Sequence, residues 1–88
     1  MTIWKYALAV KDRQDIDMPK GAKILAVQNQ NGGGQLWALV NPKAKNVTRT
    51  FATFGTGHEL PNNLHDEFKY VGTYLANPFV WHVFEVLP

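Results

Sequence analysis

Eighty-eight residues without a cysteine specify one domain that has neither a disulfide nor a cysteine-based zinc site. A formal net charge of +2 is too small to indicate a nucleic-acid-binding protein by itself, and a hydrophobic content of 45% is ordinary for a globular protein. No apolar run approaches about 18 residues, and charges from Lys5 onward interrupt any signal-peptide core, so we expect neither a membrane span nor a signal peptide.

The amino-terminal quarter of the chain alternates in the way that strands do. Ile3 to Val10 predicts a first strand, with Trp4 on the face that we expect to be the better buried one. After a charged stretch, Gln14 to Met18 alternates weakly. We predict a short edge strand there, because charges at a sheet edge oppose pairing with other chains. Pro19 and Gly21 then fit a tight turn.

The segment Lys23 to Val40 predicts a β-hairpin around which the domain is organised. Ile24 to Gln28 and Gln35 to Val40 are strand-length apolar runs. Between them, Asn31 to Gly34 can supply the positive φ angles that a tight turn needs. Leu36 to Val40 is apolar at every position, so we expect a central strand with both faces covered.

Three more strands are predicted in the second half of the chain, at Val47 to Phe54, Phe68 to Leu75 and Phe79 to Val86. A turn at Ala76 to Pro78 would join the last two as a second hairpin, and Asn62 to Asp66 can form one helical turn. We therefore predict a single mainly-β domain, a small antiparallel barrel or sandwich of five to six strands with at most one short helical turn.

The stretch Gly55-Thr56-Gly57-His58 is the best candidate for a binding site. Closely spaced glycines let backbone N–H groups converge on an anion, and Thr56 and His58 can add side-chain donors. A turn in which glycine takes a positive φ explains the same residues without any ligand. The P-loop pattern is absent, since no Gly-Lys-Ser/Thr follows. We predict that these four residues bind a ligand or a partner.

Arg49 and Trp81 complete the predicted binding set. Arg49 lies in the middle of a strand, and we expect it to point outward; an inward arginine would need an anion or a carboxylate as its partner. Trp81 is assigned to an exposed or interface face, because Glu85 is among the residues that alternate with it. Trp4 and Trp37, by contrast, fit core packing.

Five residues that can bind metals lie within ten positions, namely His58, Glu59, His65, Asp66 and Glu67. Their spacing matches no recognised metal motif, so we predict no metal site. His58 with Glu59 or His65 is the one set able to supply a general base and an acid, and an enzyme that handles nucleotides or phosphodiesters remains an alternative. A nucleic-acid-binding β domain is a second alternative, because aromatic and basic residues coexist. We expect His82 to be a hydrogen-bonded core or interface histidine.

Six stretches, in chain order, carry a resemblance: IWKY, MPKGAKILAVQNQNG, LWALVNP, RTFATFGTGHELP, YVGTYL and HVFE. They cover nearly the whole chain, which resembles in them a family of short phage and prophage proteins. The most distinctive of these pieces are MPKGAKIL, FGTGH and HVFE. The family carries no assigned enzymatic activity, so the resemblance implies neither catalytic residues nor a cofactor.

The resemblance implies an accessory protein of a bacterial virus that acts in the host cytoplasm. Such a protein is expected to antagonise a host defence system, either by occupying a host protein or by sequestering a small, nucleotide-type anionic ligand. We also expect a homo-oligomer, because a short chain without cysteines needs another source of stability.

Overall fold

The computed structural model describes all 88 residues and contains two antiparallel β-sheets with one helical turn. The elements are β1 (Thr2–Ala7), β2 (Arg13–Pro19), β3 (Lys23–Gln30), β4 (Gly33–Val40), β5 (Asn46–Gly55), α1 (Leu64–Glu67), β6 (Phe68–Ala76) and β7 (Phe79–Val86). The first sheet has the strand order β1-β4-β3 and the second has the order β2-β5-β7-β6. The prediction of a mainly-β sandwich is confirmed, and the sheets do not close into a barrel. The structure has seven strands and not the predicted five to six, because every alternating segment pairs with another strand.

The β3–β4 hairpin forms where it was predicted, but its turn is tighter. Gln30 pairs with Gly33, so only Asn31 and Gly32 lie between the strands. Their φ angles of 54° and 80° are the two positive values that a type I′ turn requires. β4 lies between β1 and β3, which confirms the central strand. Three alternate side chains of β4 are completely buried: Leu36, Ala38 and Val40.

The second sheet and α1 confirm three predictions: β2 is an edge strand, α1 is one helical turn, and β6 and β7 form the second hairpin. β2 pairs only with β5, and its carboxylates accept hydrogen bonds from threonine hydroxyls of β5. Asp17 accepts from Thr48 at 2.6 Å, and Asp15 accepts from Thr50 at 2.7 Å. β6 and β7 pair along their whole length. The structure contains no helix with the length and hydrophobicity needed to cross a bilayer.

The core lies between the two sheets, which approach most closely where β3 meets β6. A Cβ atom built on Gly72 would lie 2.6 Å from the Cβ of Val27. Only glycine at position 72 permits the strands to lie this close, because two Cβ atoms in a protein do not approach to 2.6 Å. Phe51 and Val83 are completely buried on the facing side of the second sheet.

Trp4 departs from its predicted place in the core, since it is 41% exposed. β1 pairs with β4 on one side and has no neighbour on the other, so its side chains are covered by one strand only. Trp37 is half-buried, on the opposite face of β4 from the core residues. The predicted Ile3 to Val10 strand is too long, since β1 ends at Ala7, and Leu8, the one buried residue of the predicted stretch, follows the strand.

Candidate functional site

The loop after β5 and the β6–β7 turn enclose an open recess of about 250 Å³ at one end of the second sheet. Its walls include Gly55, Thr56, His58, Phe79, Val80 and Trp81. We call this the aromatic recess. Four of the six predicted binding residues line it, and Gly57 lies in the adjoining turn. The structure therefore brings Trp81 together with the Gly55-to-His58 loop, although the two are far apart in sequence. The predicted exposed face for Trp81 is wrong: the residue is half-buried and packs against the core, because it alternates with the buried Val83 on the inner face of β7.

The backbone of the loop forms a turn and not an anion cradle. The N–H of His58 donates to the carbonyl of Gly55 at 3.1 Å, and Gly57 has a φ of +88°. The N–H of Thr56 donates to the carbonyl of Val80 at 3.2 Å, which fastens the loop to β7. Two of the N–H groups expected to converge on an anion are thus already hydrogen-bonded. A glycine is needed at position 57 for its positive φ.

A chain of hydrogen-bonded side chains runs from the loop across the outer face of β7 and β6. Thr56 Oγ1 lies 2.7 Å from His82 Nε2, and Thr73 Oγ1 lies 3.0 Å from His82 Nδ1. The Tyr70 hydroxyl lies 2.5 Å from Thr73 Oγ1. Both ring nitrogens of the half-buried His82 are satisfied, which confirms the predicted hydrogen-bonded histidine. Sequence reasoning missed its partners because they depend on the β6–β7 register, which shifts between Tyr70 and Gly72.

Three rings form the wall of the aromatic recess. Phe79 stacks on Trp81 with ring centroids 5.5 Å apart, and His58 meets Trp81 edge-on at 6.4 Å. A Cβ atom on Gly55 would lie 2.8 Å from His58 Cε1 and 3.1 Å from Trp81 Cζ3. Gly55 therefore contributes close packing of the two rings. Sequence reasoning missed Phe79, which is 57% exposed; its alternation with Trp81 was the available signal.

Arg49 lies apart from the aromatic recess, six residues before Gly55 on β5 and therefore roughly 20 Å away along the strand. Its guanidinium binds Glu85 through two contacts, Nε to Oε2 at 2.5 Å and Nη2 to Oε1 at 2.8 Å. Nη1 donates to the carbonyl of Ala22 at 2.5 Å. The expected outward orientation is wrong: the side chain is only 20% exposed, and Glu85 is the carboxylate partner that an inward arginine requires. The hydrogen bonds that Arg49 donates to Glu85 raise the pKa of Arg49, against the lowering effect of burial.

A second cavity, of about 310 Å³, borders this ion pair. Its polar lining comprises Lys23, Arg49, Lys69, Tyr70 and Glu85. We call it the basic groove. Three cations face one carboxylate, and Arg49 with Glu85 forms the one salt bridge of the structure. The two exposed lysines give the groove a positive potential that Glu85 does not offset.

The residues of the enzyme alternative are only partly assembled. His58 and Glu59 share a shallow depression beside Phe68, while His65 lies on α1. No group of three or more histidine, aspartate or glutamate side chains converges in the way that metal ligands do.

These features define a small antiparallel β-sandwich domain with an aromatic recess and a separate basic groove. The chain belongs to the family described as "Domain of unknown function (DUF7352)", whose model matches residues 1–88. No curated protein and no solved structure matches the chain.

Proposed function

We propose that this protein is a non-enzymatic binding module that holds a protein partner at the aromatic recess. The observation that carries the proposal is the combination of three ring walls with a volume of about 250 Å³. Small-molecule sites usually measure about 300–1,000 Å³. A smaller, open and aromatic recess instead suits one anchoring side chain of a protein partner, the arrangement in which interface hot spots concentrate binding energy.

Two further features favour a protein over a small anion at this place. The loop N–H groups of Thr56 and His58 are used within the chain, so few donors remain for a phosphate. The rim is apolar, because Pro78 and the 57% exposed Phe79 line the recess at the β6–β7 turn. An apolar or aromatic side chain would enter the recess and pack against the exposed faces of these rings, while the exposed His58 would donate or accept one hydrogen bond at the edge.

The resemblance to short phage and prophage proteins supplies the context of the proposal. The partner would be a host protein of a defence system, met in the host cytoplasm, and the binding module would act by occupying a surface that this protein needs. This part of the proposal depends on the sequence resemblance alone.

The test is to identify a partner by co-purification from the bacterial host and to measure its affinity for purified variants. Phe79→Ser and His58→Ala should each weaken binding about tenfold or more. Leu25→Ser is the matched control, since Leu25 is an exposed aliphatic residue on the other sheet, at 45% exposure. Melting temperatures should change little in all three. Wild-type affinity in Phe79→Ser would refute the aromatic recess as the binding site.

The basic groove supports a second candidate, the sequestration of a small anionic ligand of nucleotide type. Neither Lys23 nor Lys69 forms a salt bridge, although Lys69 lies opposite Glu85 on the neighbouring strand, and Arg49 is held in place by Glu85 with two of its five N–H groups still free. Titration calorimetry with pyrophosphate and a nucleoside monophosphate would test it. Lys69→Ala should abolish the heat of binding, whereas Lys43→Ala, in the loop between β4 and β5, should not. Turnover of the nucleotide would favour the enzyme alternative instead.

A further inference from the structure

β1 leaves one side of the first sheet unpaired. It pairs with β4 and with no other strand. The N–H of Leu8 donates to the carbonyl of Gly34 at 2.9 Å. Because backbone groups alternate along an antiparallel strand, the even-numbered residues of β1 face β4. The N–H and C=O groups of Ile3, Lys5 and Ala7 therefore point away from the sheet and have no strand to bond.

The edge formed by β2 is protected, and the edge formed by β1 is not; the two remaining edge strands, β3 and β6, lie against each other. β2 carries Asp15, Asp17 and a proline at position 19, which are typical devices against edge-to-edge pairing. In β1, Lys5 is the single charged residue between exposed apolar side chains. Ile3 and Trp4 are 56% and 41% exposed. An apolar strand edge of this kind is a template for another strand.

The solvent-accessible surface of the monomer is larger than that of a typical folded monomer of the same mass. A folded monomer of 9.9 kDa exposes about 5,200 Å². This chain exposes 5829 Å², and it is only 17 Å thick along its shortest axis. The excess of roughly 600 Å² approaches the roughly 800 Å² per subunit that a standard interface buries. A second copy joined at a sheet edge and over the adjoining faces would cover an area of this size.

We propose that β1 pairs antiparallel with β1 of a second copy, about a two-fold axis at Trp4, so that six strands form one continuous sheet. An axis at Lys5 would set two ammonium groups opposite each other, which is destabilising. An axis at Tyr6 would leave only three residues of β1 paired. The axis at Trp4 pairs five residues and sets Ile3 opposite the partner subunit's Lys5. It also sets Trp4 against the partner subunit's Trp4 in a non-hydrogen-bonded pair, where cross-strand side chains lie closest.

The lack of cysteines makes the register testable by a single substitution. In the proposed dimer, two copies of Trp4→Cys face each other at a Cα separation of about 4.5 Å, which lies within the range for a disulfide. Under mild oxidation this variant should form a covalent dimer. Thr2→Cys, exposed at the end of the same strand, should not, because Thr2 would lie opposite the partner subunit's Tyr6. Equal cross-linking of both variants, or none with Trp4→Cys, would overturn the register.

Light scattering at high micromolar concentration tests the interface without cross-linking. The wild-type protein should have about twice the mass of 9.9 kDa. Lys5→Pro removes an outward N–H that β4 does not use, and it should give a folded monomer with an unchanged circular dichroism spectrum. Lys5→Ala removes the same ammonium group but keeps the N–H, so it should remain a dimer. A monomeric wild type, or a Lys5→Pro variant that stays dimeric, would contradict the proposal. If Lys5→Pro fails to fold, the oxidation of Trp4→Cys and Thr2→Cys tests the proposal instead.

Discussion

Asn29 joins the two sheets by binding both backbone groups of Leu75. Its Oδ1 accepts a hydrogen bond from the N–H of Leu75 at 2.9 Å, and its Nδ2 donates to the carbonyl of Leu75. The residues are 46 positions apart, on β3 and β6. The side-chain amide thus satisfies the edge of β6 as a neighbouring strand would, at the end where the sheets meet most closely.

Asn29→Asp should destabilise the protein. The aspartate keeps the acceptor for the Leu75 N–H but loses the donor, and it sets a carboxylate beside the Leu75 carbonyl. We expect the free energy of unfolding to fall by about 1–2 kcal/mol. Urea denaturation measures it, with Gln28→Glu as the matched control, because Gln28 is exposed on the same strand. Equal stability of the two variants would argue against a structural role for the amide.

Gly72→Ala should lower the free energy of unfolding by more than the addition of one methyl group usually does. The new Cβ would lie 2.6 Å from the Cβ of Val27, so the sheets must move apart. Overpacking of this kind typically costs about 1–3 kcal/mol. At Gly33 the nearest atom is a flexible Gln35 amide nitrogen at 4.0 Å, and Gly33→Ala should change stability by less than about 0.5 kcal/mol. Similar melting temperatures for the two variants would show that the close approach is not needed.

Arg49→Leu should be more damaging than the double variant Arg49→Leu with Glu85→Leu. The single change leaves a Glu85 side chain that is 14% exposed without its cation, whereas the double change removes both charges. We expect the single variant to lose about 2–3 kcal/mol and the double variant to recover at least about 1 kcal/mol of that. A thermodynamic cycle from urea denaturation gives the coupling. Strict additivity would mean that the pair contributes nothing beyond its separate side chains.

The protein should lose stability in alkali because of Tyr6 and Tyr74. Neither hydroxyl has a hydrogen-bond partner, and burial raises the pKa of both above the ordinary 10.0. The unfolded chain then releases these protons at lower pH than the folded chain. The stability contribution is therefore complete below about pH 10 and is lost as the pH rises through the folded values.

The free energy of unfolding should accordingly decline above about pH 10, together with the absorbance change of tyrosine ionisation. Tyr74→Phe and Tyr6→Phe should each reduce the slope, at little or no cost in stability, since each removes an unpaired hydroxyl. An unchanged slope in both phenylalanine variants would assign the alkaline transition to other groups.

The sequence by itself determined the elements whose signals are local. The tract Asn31 to Gly34 predicted a tight turn, and the apolar runs on either side then predicted the β3–β4 hairpin, whose turn the structure narrows to Asn31 and Gly32. The charges of β2 likewise mark an edge strand from its own residues. The positive φ of Gly57 and the turn around it follow from the same local rules, which act over a few residues.

Only the tertiary structure decided which side chains meet. Arg49 turns inward because Glu85, 36 residues away, lies on the neighbouring strand. The six predicted binding residues are divided between an aromatic recess and a basic groove, because position along β5 separates Arg49 from Gly55. Trp4 is exposed because β1 has one neighbour and not two. Strand order and register are set by burial and hydrogen bonding summed over the whole chain, and no single segment contains that information.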